Sequence, residues 1–121
     1  MRRVVITGIG AITPIGNDPK TMWDSILAGK HGIAEIDRFD TSDIDIKLAA
    51  MVKGFDPSPV VDKKEQRRTD IYCQYALCAA AQAMTDCGSD LKDLDPYRVG
   101  VIVGSGIGGI QTFEEEHTKF E

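Results

Sequence analysis

Three glycines, Gly104, Gly106 and Gly109, follow the β-branched run Val101-Ile102-Val103 in the order G-x-G-x-x-G. Bare backbone amides in such a turn can hold a phosphate, and strand, glycine turn and helix together form the dinucleotide fingerprint. That fingerprint also needs an acidic residue about twenty positions on, to hold the ribose hydroxyls. The corresponding position falls beyond Glu121. An earlier pair, Gly8-Ile9-Gly10, has Thr13 where the third glycine belongs, and no G-K-[ST] phosphate loop is present. A second use of the same turn is equally open. Residues 104–108 carry three glycines and no cation, with Ile107 as an apolar tip, so the turn could line the wall around an apolar chain.

Other chemistry-bearing types are sparser. Cys73, Cys78 and Cys87 form no C-x-x-C pair and fall in one helical stretch, which fits buried reduced thiols better than zinc or a disulfide. Glu114 and His117 have the E-x-x-H spacing of carboxylate-bridged metal sites. A single copy within "EEEHTK" is better explained by a solvated helix face, with Glu115 and Lys119 as an i,i+4 pair, and no metal site is expected. His31 sits in a glycine-flanked loop.

Charge is unevenly spread. The 121 residues hold 14 Lys and Arg against 19 Asp and Glu, a net charge of −5. The six residues "KKEQRR" hold four of those cations and one anion, a local +3 on a chain that is −8 elsewhere. A basic spot on an acidic chain suits one specific anionic contact. It suits nucleic acid poorly, because no stacking aromatic lies beside it before Tyr72. If helical, the stretch puts Lys63 with Arg67 and Lys64 with Arg68 on shared faces.

Elements that must position these groups can be read from caps and periodicity. "RRVVITGIG" and "RVGVIVG" are continuous apolar runs, expected as buried strands of a parallel sheet. In "NDPKTMWDSILAGK", Asp18 can cap a helix, Pro19 suits its first position and Gly29 its exit, with Met22, Trp23, Ile26 and Leu27 as the buried stripe. "KLAAMV" at 47–52 could be a strand, and Pro57 and Pro59 make "FDPSPVV" a loop. A helix is expected from Thr69 to Cys87 with Gly88 as its C-terminal cap, apolar on most sides and hence buried in a larger body. A last helix begins near Gly109 and is expected to run to the end of the chain. Hydrophobic residues make up 42% and charged residues 27%, the range of a soluble globular protein. No apolar run is long enough to span a membrane, and "MRRVVITG" is too short for a secretory signal, so a cytoplasmic location is expected.

Taken together, "RRVVITGIGAITPIGN", "AGKHGIAEIDRFDTS", "KKEQRRTDIYCQYA" and "RVGVIVGSGIGG" resemble, in order and over the whole chain, the β-ketoacyl-[acyl-carrier-protein] synthases, the condensing enzymes of fatty-acid elongation. "GSGIGG" with "KEQRR" is most similar to the synthase II branch of that family. Polyketide ketosynthases share much of this region. The resemblance implies an α/β, thiolase-like fold layered αβαβα, of which residues 1–121 would be most of the first half, an incomplete N-terminal domain cut inside a helix. It implies a homodimer with an acyl thioester substrate, an acyl carrier protein partner and no cofactor.

The family's cysteine nucleophile and two histidines have no counterpart among these residues, so no catalytic residue is assigned here. The resemblance places Ile107 in the acyl pocket, and Lys63, Lys64, Arg67 and Arg68 at the carrier-protein dock. Two other classes stay in view: a non-catalytic relative such as a chain-length factor, and a dinucleotide-binding domain.

Overall fold

Asp18 opens the first helix as its sequence requires. In the computed structural model, which describes residues 3–88, 92 and 94–120, α1 spans Pro19–Leu27 with Pro19 at its first position. The Asp18 carboxylate accepts from the Thr21 N–H at 2.8 Å and from the Thr21 hydroxyl at 2.6 Å. These bonds, the hydroxyl's first, hold the Asp18 carboxyl below its ordinary pKa. A group whose folded pKa is depressed stabilises the fold above its unfolded value, and that contribution is lost as pH falls through the folded one. Helix α1 is therefore expected to fray on the acid side of the ordinary aspartate range. Asp18→Ala should remove that pH dependence and cost about 1 kcal/mol at neutral pH. Chemical shifts of residues 19–27 followed against pH in both proteins check this. An unaltered titration in Asp18→Ala would assign the effect elsewhere.

Beyond α1, Gly29 takes φ +65, as its exit position demands. The expected buried stripe does not form. Met22 is half-buried, while Trp23 is 56% exposed and Ile26 and Leu27 are also open; only Ser25 is buried. Periodicity identifies a face that could be covered, and no other element of the described residues lies over this one.

The strand expectations also change. Residues 47–52 do supply a strand, β2 at Leu48–Ala50. It pairs antiparallel with β1 at Ile33–Glu35, in the register Ile33 to Ala50, Ala34 to Ala49 and Glu35 to Leu48. The two apolar runs expected as buried parallel strands join no ladder among the described residues. Val4 is 93% exposed and Ile102 99%. A β-branched run specifies extended backbone, but a strand needs a hydrogen-bonded neighbour, and among the described residues neither run has one.

The N-terminal segment is held by a helix instead. Helix α3 spans Ile71–Cys87, starts at Asp70 and ends at Gly88 in the left-handed conformation, φ 66. Its Asp86 accepts from the Ile9 N–H at 2.9 Å. Its Gln82 accepts from the Ala11 N–H at 2.9 Å and donates to the Asn17 carbonyl at 2.7 Å. Backbone meets backbone so closely that a Cβ on Gly8 would lie 2.1 Å from the Ala83 oxygen, and one on Gly10 1.8 Å from the Ala79 oxygen. Gly10→Ala should therefore cost about 1–3 kcal/mol by overpacking. Gly100→Ala, in open space, should be close to neutral. Urea midpoints of the two variants decide the matter, and equal midpoints would mean that the contact gives way freely.

The small core sits on α3 around fully buried Val61, with Cys78 and Gln74 also buried. Gln74 donates from Nε2 to the carbonyls of Gln66 and Thr69, both at 3.0 Å. The Phe55 and Tyr75 rings meet edge to face at 4.8 Å. The rest of α3 departs from the fully buried helix its composition suggests, since Ile71, Tyr72, Leu77 and Met84 are exposed. After a short 3-10 turn at Pro96–Arg98, helix α4 begins at Ile110 as expected. It closes at Thr118 instead of running on, with the Lys119 N–H reaching back to the Glu116 carbonyl and the Phe120 N–H to that of His117. The last carbonyls of a helix have no partners one turn ahead, so the end tightens in this way. Arg2 and Glu121, which belong to the N-terminal strand reading and the last helix, lie outside the described residues. No helix among the described residues is long and apolar enough to cross a membrane.

Candidate functional site

The basic cluster is presented by a loop and one helical turn. Pro57 breaks the chain, and its carbonyl accepts from the N–H groups of Val60 and Val61. That turn delivers Asp62, whose Oδ1 accepts from the N–H of Lys64 at 2.7 Å and of Glu65 at 2.9 Å. Helix α2, Lys63–Gln66, follows, with Arg67 still helical as its cap. The expected helix thus covers Lys63 to Arg67. It stops there because the Gln66 and Thr69 carbonyls are taken by Gln74 of α3, which turns the chain into that helix. Lys63, Lys64, Arg67 and Arg68 are all exposed, and none joins an ion pair among the described residues. A cleft of about 430 Å³ separates Arg67 and Arg68 from Glu115 and Glu116 on α4.

The glycine turn stands on the other side of Asp70. Ile107 forms its tip and is 83% exposed. Gly108 takes φ +83, so the position that needs glycine conformationally is not one of the G-x-G-x-x-G three. The Gly108 N–H donates to the Ser105 hydroxyl at 3.0 Å, and the Gly108 carbonyl accepts from Ile110 at 3.0 Å. Gly104 and Gly106 face open space. No ladder strand precedes the turn among the described residues, so the strand–turn–helix of a dinucleotide site is not assembled. A cleft of about 880 Å³ runs beside its root, walled by Phe39, Asp70, Tyr72, Gly108 and Ile110; Ile107 is not in that wall. Among the described residues no hydrogen bond or ion pair joins the cluster to the turn. Asp70 borders the cleft beside each.

Remaining candidates are placed plainly. Cys78 is buried and Cys73 and Cys87 half-buried, all as free thiols. Burial, and secondarily the Asp56 charge, push the Cys78 thiol above its ordinary pKa, which keeps it protonated and poorly nucleophilic. Glu114 and His117 lie on an exposed face, and among the described residues no group of three His, Cys, Asp or Glu could hold a metal. The expected Glu115–Lys119 pair is replaced. Lys119 pairs with Glu116, three residues back in the tightened last turn, while Glu115 accepts from Gln111 at 3.0 Å. His31 borders a polar cleft with Lys30 and Lys53. One cavity had no sequence signal at all. It measures about 710 Å³ and is walled by Ile9, Ile12, Phe55, Val60, Cys78 and Gln82, residues that only the tertiary structure collects.

Comparison with known proteins supplies the class. Residues 1–120 match the family model described as Beta-ketoacyl synthase, N-terminal domain. The chain belongs to the β-ketoacyl synthase family. It is 49% identical over 118 residues to 3-oxoacyl-[acyl-carrier-protein] synthase 2 of Staphylococcus aureus strain N315, covering 98% of this chain and 28% of that protein. It is 46% identical over 116 residues to the protein of the same name from Coxiella burnetii, covering 96% and 28%. The chain thus spans little more than a quarter of the length of these curated relatives. Among solved structures, the ishigamide ketosynthase/chain length factor matches with a TM-score of 0.80 and 31% identity, over 98% of this chain and 30% of that one. A type II polyketide ketosynthase in complex with its acyl-carrier protein matches with a TM-score of 0.72 and 26% identity, over 95% and 30%.

Proposed function

We propose that this chain forms the N-terminal part of a cytoplasmic, homodimeric 3-oxoacyl-[acyl-carrier-protein] synthase with the layered thiolase-like fold. Residues 1–121 are then an incomplete synthase domain. The complete enzyme takes an acyl group onto a cysteine thiol, decarboxylates malonyl carrier protein and joins the two carbon skeletons. The observation that carries this reading is the 49% identity, spread over 118 of these residues, to a synthase 2. In this assignment the basic cluster of α2 docks the acidic carrier, and the glycine turn with Ile107 meets the acyl chain. A carrier-bound ketosynthase among the structural relatives supports the choice of partner. A second reading, a non-catalytic chain-length factor, is favoured by the ketosynthase/chain length factor neighbour.

Acyl-thioester formation needs an activated thiolate and donors for the developing oxyanion. Cys78 is buried, with its thiol pKa pushed up by that burial, and the resemblance matches no cysteine here to the nucleophile. The 121-residue chain alone is therefore expected to form no acyl-thioester and no condensation product with malonyl carrier. Turnover above a mock preparation would overturn that. The protein carrying the downstream region is expected to condense both substrates. Failure of that longer protein to form the acyl-thioester would favour the chain-length factor.

A further inference from the structure

We infer that Asp70 is a positioning residue that clamps the root of the glycine turn to the start of α3. Asp70 occupies the N-cap position of α3, where an aspartate ordinarily accepts from its own helix's first N–H groups. Here its side chain makes no such bond. The carboxylate is spent on α4 instead: Oδ1 accepts from the Thr112 hydroxyl at 2.8 Å. Oδ2 lies so close to Gly109 that a Cβ there would be 2.0 Å from it. A negative group at the start of α4 also complements the positive end of that helix.

Two features make this contact more than a surface hydrogen bond. Val99 to Ile107 are exposed and join no strand among the described residues, so the turn lacks a ladder to fix it. Asp70 also follows directly on Arg67-Arg68-Thr69, with Thr69 tied back to the Glu65 carbonyl at 2.8 Å. One short stretch of backbone therefore joins the basic turn to the root of the glycine turn. Asp70 holds Gly109 and Thr112, and these set where the tip at Ile107 stands. Its bearing on acyl-chain selection rests on the proposed function; the clamp itself does not.

Amide hydrogen exchange in this chain tests the clamp without any activity. Asp70→Ala should speed exchange across Gly108–Phe113 about tenfold, the scale of one lost charge-assisted hydrogen bond. Asp70→Asn, which can still accept from Thr112, should restore most of the protection. Thr112→Val should reproduce the loosening. Gly109→Ala, by pushing the carboxylate aside, should do the same and add little on top of Asp70→Ala, because both act on one contact. The far end of α3, Ala79–Cys87, should be unaffected in every variant. Unchanged exchange at Gly108–Phe113 in Asp70→Ala would overturn the proposal, as would loosening spread evenly along α3. In the longer enzyme, Asp70→Ala should broaden the range of acyl lengths accepted. A loosened turn with an unaltered acyl-length profile would leave the clamp standing and remove the acyl-pocket role of the turn.

Discussion

Exchanging Lys64 and Arg67 together for glutamate is expected to lower carrier-dependent turnover of the longer enzyme roughly a hundredfold at low salt, while a small thioester mimic keeps most of its rate. Both side chains are exposed and free of ion pairs among the described residues, so their reversal should leave the fold intact. The Asp62 cap that holds α2 in place depends on the N–H groups of residues 64 and 65, not on their side chains. Rim charges act mainly on encounter, so the deficit should shrink as salt screens them. Glu115 and Glu116 across the cleft would repel an acidic carrier docked as proposed, which would confine favourable approach to the α2 side. Equal losses on carrier and mimic would mean that the cluster supports the fold instead.

Ile107→Phe is expected to cut use of long acyl chains roughly a hundredfold while short chains are spared, because overpacking excludes the larger ligand. The side chain stands at the tip of a turn with open space at Gly104 and Gly106, so the larger ring causes no collision within this chain. Any selectivity must then come from what the tip meets in the complete enzyme. Acyl-length profiles of the two proteins are the measurement. Uniform loss at every length would indicate misfolding, and an unchanged profile would take Ile107 out of the pocket.

What could be read from sequence follows how local each signal is. Asp18-Pro19 with Gly29, Gly88 as a C-terminal cap, and Gly109 before Ile110 are decided by backbone groups within a few residues; α1 and α4 start and α3 ends where those residues put them, while α3 starts at Ile71, two residues inside the expected Thr69. The two long apolar runs were misjudged because a strand's partner is not local. Val4–Ile6 and Val101–Val103 have the composition of a buried parallel pair and join no ladder among the described residues, while Leu48–Ala50, expected as a strand, found its partner in Ile33–Glu35. Burial of the α1 stripe failed for a related reason: Trp23, Ile26 and Leu27 are apolar, but coverage depends on elements elsewhere in the fold. The charge of the α2 cluster was plain from composition. That Asp70 would spend its carboxylate on Thr112, 42 residues away, was not.

The bonds from α3 to the N-terminal segment set an order of events during synthesis. Ile9 waits for Asp86, 77 residues later, and Ala11 for Gln82, 71 residues later. At about 5–20 residues per second, a ribosome takes roughly 4–15 seconds to supply the partner of Ile9. Throughout that interval the Ile9 and Ala11 N–H groups lack the acceptors that hold them in the folded chain. The Gly8–Ala11 segment of a nascent chain should therefore stay unanchored until α3 has emerged and coiled, and a slow codon stretch before Gln82 would lengthen that interval.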